Sequence, residues 1–238
     1  MSTSVLIADA ATDFKPWSLT DAISDAPAAL SYSGQRYLKR ALDLLAAVLI
    51  LLLILPTLLI IGLLVYLSSP GPILFRQQRV GLNGTSFTLF KFRTMYHGAS
   101  SAVHEKYYRD LIQGNAQATG STFKLRNDPR ITPIGRILRR LSLDELPQLI
   151  NVLRGEMSLV GPRPPLPYEV AQYGSRELGR LSVAPGLTGL WQVCGRATLN
   201  FSQMIDLDLA YIERWSIWLD LSILLRTPLV VLTGRGAC

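Results

Sequence analysis

Ser142-Leu143-Asp144-Glu145-Leu146-Pro147-Gln148-Leu149-Ile150-Asn151-Val152-Leu153-Arg154-Gly155 sets two adjacent carboxylates at the start of a short amphipathic run. Ser142 and Glu145 have the spacing of a capping box, and Gly155 is a suitable helix stop. Pro147 lacks a backbone N–H, so it is tolerated only near a first turn. The spacing therefore predicts a helix whose N-terminus carries Asp144. The positive field there favours an ionised carboxylate and equally favours a bound phosphate. A bare S-x-x-E is more often only a cap. Here its neighbours add chemistry: Arg139 and Arg140 lie just upstream, and Gly161-Pro162-Arg163-Pro164 follows downstream.

The chain has 238 residues, 49% of them hydrophobic and 17% charged, with net charge +7 and mean hydropathy +0.26. Those values lean toward membrane association. Between Arg76 and Arg163 there are 14 Lys/Arg against 6 Asp/Glu. A basic stretch suits phosphate-rich partners: nucleic acid, lipid headgroups or nucleotide sugars. Cys194 and Cys238 are too few for a disulfide framework or a zinc site, and His97 and His104 have no cysteine at ligand spacing. Residues 1–34, rich in Ser, Ala and Asp, read as a disordered cytosolic tail and not as a signal peptide.

Residues 44–67 contain no charge, and about 24 apolar residues suffice to cross a bilayer. Pro56 near the middle predicts a kink. Arg36, Lys39 and Arg40 precede the run and Arg76 and Arg79 follow it; a straight span would carry one basic cluster to the wrong side. On charge alone, a span and a re-entrant helix bent at Pro56 both stand, over residues 35–70.

Residues 73–92 read as a β-hairpin turning at Asn83-Gly84. Its second strand runs into Lys91-Phe92-Arg93, two cations at period two and hence on one face. Polar residues 97–121 include an expected helix at 103–112. Asp128-Pro129-Arg130 reads as a turn, and residues 134–143 as a basic helix. Pro185-Gly186-Leu187-Thr188-Gly189 reads as a glycine-punctuated loop, open to close ligand approach or simply a turn. A strand-like run, Leu190 to Val193, follows. Residues 201–214 read as a helix, and 215–232 as an interfacial helix pair broken by Arg226 and Pro228. The expected fold is α+β and mainly helical, with residues 71–238 forming one catalytic domain bearing interfacial amphipathic helices.

Taken in order, Lys91-Phe92-Arg93-Thr94-Met95, Asp128-Pro129-Arg130, Asp144-Glu145-Leu146-Pro147-Gln148, Gly161-Pro162-Arg163-Pro164, Pro185-Gly186-Leu187-Thr188-Gly189 and Gly195-Arg196 resemble the bacterial sugar transferases, or monotopic phosphoglycosyl transferases. The resemblance runs from about Arg36 to the C-terminus. Overall length and the closing Thr233-Gly234-Arg235-Gly236-Ala237-Cys238 are most similar to the short exopolysaccharide galactose-1-phosphate transferases. The resemblance implies a re-entrant helix broken at Pro56, on the cytoplasmic face of a bacterial inner membrane. It implies that Asp144 is the nucleophile toward the β-phosphate of a UDP-hexose, that UMP leaves, and that the phospho-sugar passes to undecaprenyl phosphate. Glu145 matches the partner acid. Mg²⁺ is the implied cofactor, with Asp144 as its protein ligand, since Mg²⁺ binds through one or two carboxylates plus substrate phosphates. Lys91, Arg93, Arg139 and Arg163 match basic positions near the phosphates, and Arg196 and Asp208 match positions of the nucleotide site. Cys194 departs from the small polar residue expected before Gly195. A homodimer is a further expectation. Two rival readings are a membrane-anchored nucleic-acid binder, for which no reader motif is present, and a non-catalytic scaffold of a polysaccharide export complex, which would need no Asp-Glu pair.

Overall fold

A computed structural model describes residues 32–98, 128–195 and 199–233. Residues 1–31 of the expected 1–34 tail, the expected helix at 103–112 and Arg196 lie outside the described residues; residues 32–34 are helical and not part of a tail. The described chain is mostly helical, with two two-stranded sheets.

Helix α1, Tyr32–Ser68, runs through Pro56. Its 37 residues correspond to about 56 Å of ideal helix, well beyond the ~30 Å of a hydrocarbon core. Leu45, Leu49, Leu52, Leu53, Leu59 and Leu63 are exposed along it. The opposite face is docked at both ends onto the same body. In the first half, Ala47 is buried in the main core. Arg40 donates to the carbonyls of Val152 (2.7 Å) and Leu153 (3.2 Å). Asp43 accepts from Ser158 Oγ (2.7 Å) and Leu159 N (3.1 Å). In the second half, Ile61 and Val65 pack with Phe92 and Leu138.

Strands β1, Leu74–Val80, and β2, Ser86–Phe92, form the expected antiparallel hairpin, with Gln77 opposite Leu89. Asn83 (φ 53) and Gly84 (φ 77) supply the left-handed turn. The pleat sends Phe87 and Leu89 into the core. Helix α2, Pro133–Arg140, starts where Thr132 Oγ1 accepts from Gly135 N at 2.9 Å. A 3₁₀ turn, Leu143–Gln148, leads into α3, Leu149–Arg154, which Gly155 (φ 85) ends as expected. Asn151, fully buried, stitches α3 to β2: its Oδ1 accepts from Phe90 N (3.1 Å) and its Nδ2 donates to Thr88 O (2.7 Å).

Strand β3, Ser158–Val160, pairs in parallel with β4, Gly186–Thr188. Short helices α4 (Pro167–Val170) and α5 (Ser175–Leu178) lie between them. A Cβ on Gly186 would stand 2.1 Å from Gly161 N, and one on Gly189 would stand 2.4 Å from Gly161 O. These glycines let two backbones touch each other; of the two readings left open, ligand approach or a turn, the space beside Gly186 and Gly189 is taken by the chain itself. Residues Leu190–Cys194 form helix α6, correcting the strand expectation. Trp191 and Val193 have strand propensity, but a run this short cannot separate the two periods. Helix α7, Phe201–Glu213, is as expected, capped by Asn200 Oδ1 on Gln203 N at 2.9 Å. The C-terminal stretch is one helix, α8, Ile217–Thr233, and not a pair; Pro228 is accommodated inside it.

Candidate active site

Glu145 does not close a capping box. Ser142 adopts a left-handed conformation (φ 53) and its side chain caps nothing, while Glu145 N reaches Ser142 O at 3.2 Å. The Glu145 carboxylate turns to Lys91 of β2, with Oε1 2.8 Å from Nζ. Both side chains are half-buried, so the pair stays wetted. The carboxylates ride on a 3₁₀ turn, which admits Pro147 without breaking an α-helical ladder. Asp144, next to Glu145, is likewise half-buried. Buried Leu149 and Asn151 fix the turn against β2, which also presents Lys91.

The Gly161-Pro162-Arg163-Pro164 turn carries a further cation, whose charge, like that of Glu145, bears on buried Arg79. Arg163 Nη1 lies 3.4 Å from Glu169 Oε2. Beneath it, Arg79 of β1 is buried and donates to Pro164 O at 2.9 Å and to Gln77 Oε1 at 2.7 Å. Burial, and then Arg163 beside it, push the Arg79 guanidinium down to about 10; Glu169, Tyr168 and Glu145 oppose that push. Arg79 still stays cationic at neutral pH. Its Nε, buried, has no hydrogen-bond partner among the described residues. The sequence offered Arg79 only as a flanking positive charge. Its apolar neighbour Val80 donates from its own N to Pro165 O at 3.0 Å, so the strand end and the turn are locked together.

A second buried pair supports the turn from behind. Arg180 contacts Asp208 at 2.7 Å, Tyr173 Oη at 2.7 Å and the Arg163 carbonyl at 3.2 Å. Burial pushes the Asp208 carboxyl up to about 6, opposed by Arg180. Asp208, expected in the nucleotide site, is sealed at 1% exposure and reaches the turn only through Arg180. Arg93, expected near the phosphates, is also redirected. It donates to the carbonyls of Val65 (3.3 Å), Ser69 (2.6 Å) and Pro70 (2.6 Å), at the C-terminal end of α1. The period-two rule fails there because β2 ends at Phe92. Arg139 sits in the last turn of α2, half-exposed. Cys194 is pushed up to about 11 by burial, so its thiol is no nucleophile at neutral pH.

Among the described residues, no three His, Cys, Asp or Glu side chains converge as a metal cluster. That donor set fits a cation such as Mg²⁺ only in its usual mode, with one carboxylate from the protein and the rest of the shell from phosphates and water.

One helix among the described residues, Gly34–Ser68, is long and apolar enough to cross a membrane, and the protein is membrane-bound. The bacterial sugar transferase family model matches residues 34–234, and the chain belongs to that family. The galactosyl transferase CpsE of Streptococcus agalactiae is 46% identical over 206 residues, 84% of this chain and 43% of its own length. The exopolysaccharide production protein ExoY of Rhizobium meliloti is 44% identical over 200 residues, 84% of this chain and 87% of its own length. The UDP-glucose:undecaprenyl-phosphate glucose-1-phosphate transferase of Caulobacter vibrioides is 45% identical over 207 residues, covering 84% and 71%. The chain thus spans less than half of the streptococcal relative.

Proposed function

We propose that this protein transfers hexose-1-phosphate, with galactose or glucose as the sugar, from a UDP-sugar to undecaprenyl phosphate and so starts an exopolysaccharide repeat unit. An Asp144 carboxylate oxygen attacks the β-phosphorus. The bond to the bridging oxygen breaks, and UMP leaves with the electron pair. An oxygen of undecaprenyl phosphate then attacks the aspartyl-bound phosphorus, and Asp144 leaves as the carboxylate. The observation that carries this reading is the carboxylate pair beside Lys91, with the buried Arg79 and Arg163 close enough for Glu145 and Arg163 to bear on the charge of Arg79. The cations offset the repulsion between an anionic nucleophile and an anionic pyrophosphate. Mg²⁺, held by Asp144 and the substrate phosphates, is the proposed cofactor and supplies further charge neutralisation. The names of the relatives support undecaprenyl phosphate as acceptor.

The topology that suits this chemistry is re-entrant. Arg40 and Asp43 near one end of α1, and Arg93 at the other, bind the helix to one body. A helix crossing the bilayer would have to surrender one of those sets. Both ends then face the cytoplasm, where nucleotide sugars are made.

Asp144→Asn is the test. Without lipid acceptor, the wild type should release UMP and gain a phospho-hexose in intact mass, and the variant should do neither. Turnover of Asp144→Asn close to wild type would remove Asp144 as nucleophile. A wild type with no UMP release on any UDP-hexose would favour the scaffold reading.

A further inference from the structure

An apolar groove of about 240 Å³ runs between α1 and α8. Leu42, Leu45 and Leu49 form one wall, Leu221 and Leu224 the other, and Val160 of β3 the floor. Leu42, Leu45 and Leu49 on α1, and Ile217, Leu221 and Leu224 on α8, repeat at three- and four-residue spacing, so each wall is one helix face. The rims are exposed, with Leu45 at 60% and Leu221 at 42%, and they continue into the bare apolar surfaces of both helices. An apolar groove of this order gains free energy by covering its walls with hydrocarbon in place of water.

The polar end of the groove says which hydrocarbon. Lys39 is the cation lining it, and its ammonium lies 2.5 Å from Asp220 and 3.9 Å from Asp43. Tyr211 Oη and Trp215 Nε1 donate to the same Asp220 carboxylate, and Ser158 Oγ donates to Asp43. Two carboxylates facing one ammonium leave no positive charge for an anionic headgroup. The groove therefore suits a chain whose anionic end is bound elsewhere. Val160 stands three residues before Arg163, at most about 10 Å of extended chain. A phospholipid has no reason to place its headgroup at that turn. An acceptor whose phosphate must meet a phospho-sugar on Asp144 does.

We propose that this groove holds the first isoprene units of the polyprenyl-phosphate acceptor, guiding its phosphate to the Arg163 turn. The assignment rests on the proposed function, and its test separates the two. A diazirine-bearing undecaprenyl phosphate is photolysed with the full-length protein in nanodiscs, and the labelled peptides are mapped. Label should fall on the segments containing Leu42–Leu49 and Leu221–Leu224. It should be displaced by unlabelled undecaprenyl phosphate and not by phosphatidylglycerol at equal concentration. Two groove-filling variants, Ala46→Phe and Leu221→Trp on the exposed rim, should raise KM for undecaprenyl phosphate about tenfold, the loss of roughly two buried methylene groups. Both should form the phospho-hexose adduct from UDP-sugar within twofold of wild type, because that half-reaction uses no lipid. Equal displacement by phosphatidylglycerol would make the groove an ordinary acyl-chain site and overturn the assignment. So would label elsewhere, or an unchanged KM in variants that still form adduct. If the wild type forms no adduct but the label maps to the groove, it is the Asp144 reading that fails and the groove assignment that stands.

Discussion

Replacing Arg93 by methionine separates a structural cation from a substrate ligand. Its guanidinium makes two short bonds, 2.6 Å each, to the Ser69 and Pro70 carbonyls, and a longer one, 3.3 Å, to Val65. A hydrogen bond to a charged group contributes about 1.5–3 kcal/mol, so the two short ones sum to roughly 3–6 kcal/mol. The buried Arg93 Nε finds no partner among the described residues, which offsets about 1–3 kcal/mol. A net loss of about 3 kcal/mol follows for Arg93→Met, and a chain of this size loses about 2–4 °C per kcal/mol. Tryptophan-monitored melting in detergent should therefore fall by roughly 6–12 °C. KM for the UDP-sugar should stay within twofold if Arg93 serves only the carbonyls of Val65, Ser69 and Pro70. Gly71 (φ +122) shares the constraint: a Cβ there would stand 2.2 Å from Arg93 Nη1, so Gly71→Ala should lower the same melting point. An unchanged melting temperature with KM raised tenfold would refute the reasoning and return Arg93 to the phosphates.

Glu145→Gln removes the charge that holds Lys91 at 2.8 Å. Transfer should slow by about 10²–10⁴ while the phospho-hexose adduct remains visible by mass; an unchanged steady-state rate would take Glu145 out of the mechanism. Gly186→Ala drives a Cβ to 2.1 Å from Gly161 N and should cost at least about 2 kcal/mol by overpacking, read as a lower melting temperature; a neutral effect would mean that β3 and β4 are not pressed together. Pro56→Leu restores a helix hydrogen bond, about 3 kcal/mol in favour of a straight helix. The ties of Arg40, Asp43 and Arg93 oppose it with about seven hydrogen bonds between them, so cysteine labels at Ser33 and Ser69 should stay on the same side of the membrane in the single variant. The double variant Pro56→Leu/Arg93→Met should begin to span. A single Pro56→Leu protein labelled from opposite sides would show that the proline outweighs the ties.

Local chemistry was legible; distant partners were not. Asn83-Gly84 announced its turn because few residues accept positive φ, and Gly155 announced the end of α3 for the same reason. The carboxylate pair stood out through its neighbours in the chain. The capping box failed because Ser142 and Glu145 have no fixed partners in sequence terms. Lys91, 54 residues away, offers Glu145 a charged donor where the cap offers a backbone amide. The glycines of 185–189 were open between ligand and turn because their contact, Gly161, lies in another motif. Asn151 carried a signal that could have been read: a lone amide within Leu149–Arg154 is buried only if it is hydrogen-bonded, and it binds two backbone groups of β2.

The basic residues show the same limit most clearly, and they change what the positive charge means. Arg36 to Arg79 looked like a topology signal, with cations flanking an apolar run. Arg40 and Arg79, two of those cations, and Arg93, expected near the phosphates, are engaged with backbone carbonyls of Val152, Pro164 and Ser69. A carbonyl at a helix end or a proline turn has a lone pair to spare, Val152 O already taking the Gly155 amide at 3.1 Å, and a guanidinium can serve two such carbonyls at once with a fixed fork. Arg40 thus closes the end of α3, the helix that follows Asp144 and Glu145, from α1 itself. Arg79 does the same for the Arg163 turn from the hairpin. The apolar helix is therefore fastened to the very elements that set the distance between the carboxylates and the arginine turn. Its depth in the membrane and the geometry of the site cannot be adjusted independently, which suits the proposed transfer from a water-borne nucleotide sugar to a lipid acceptor.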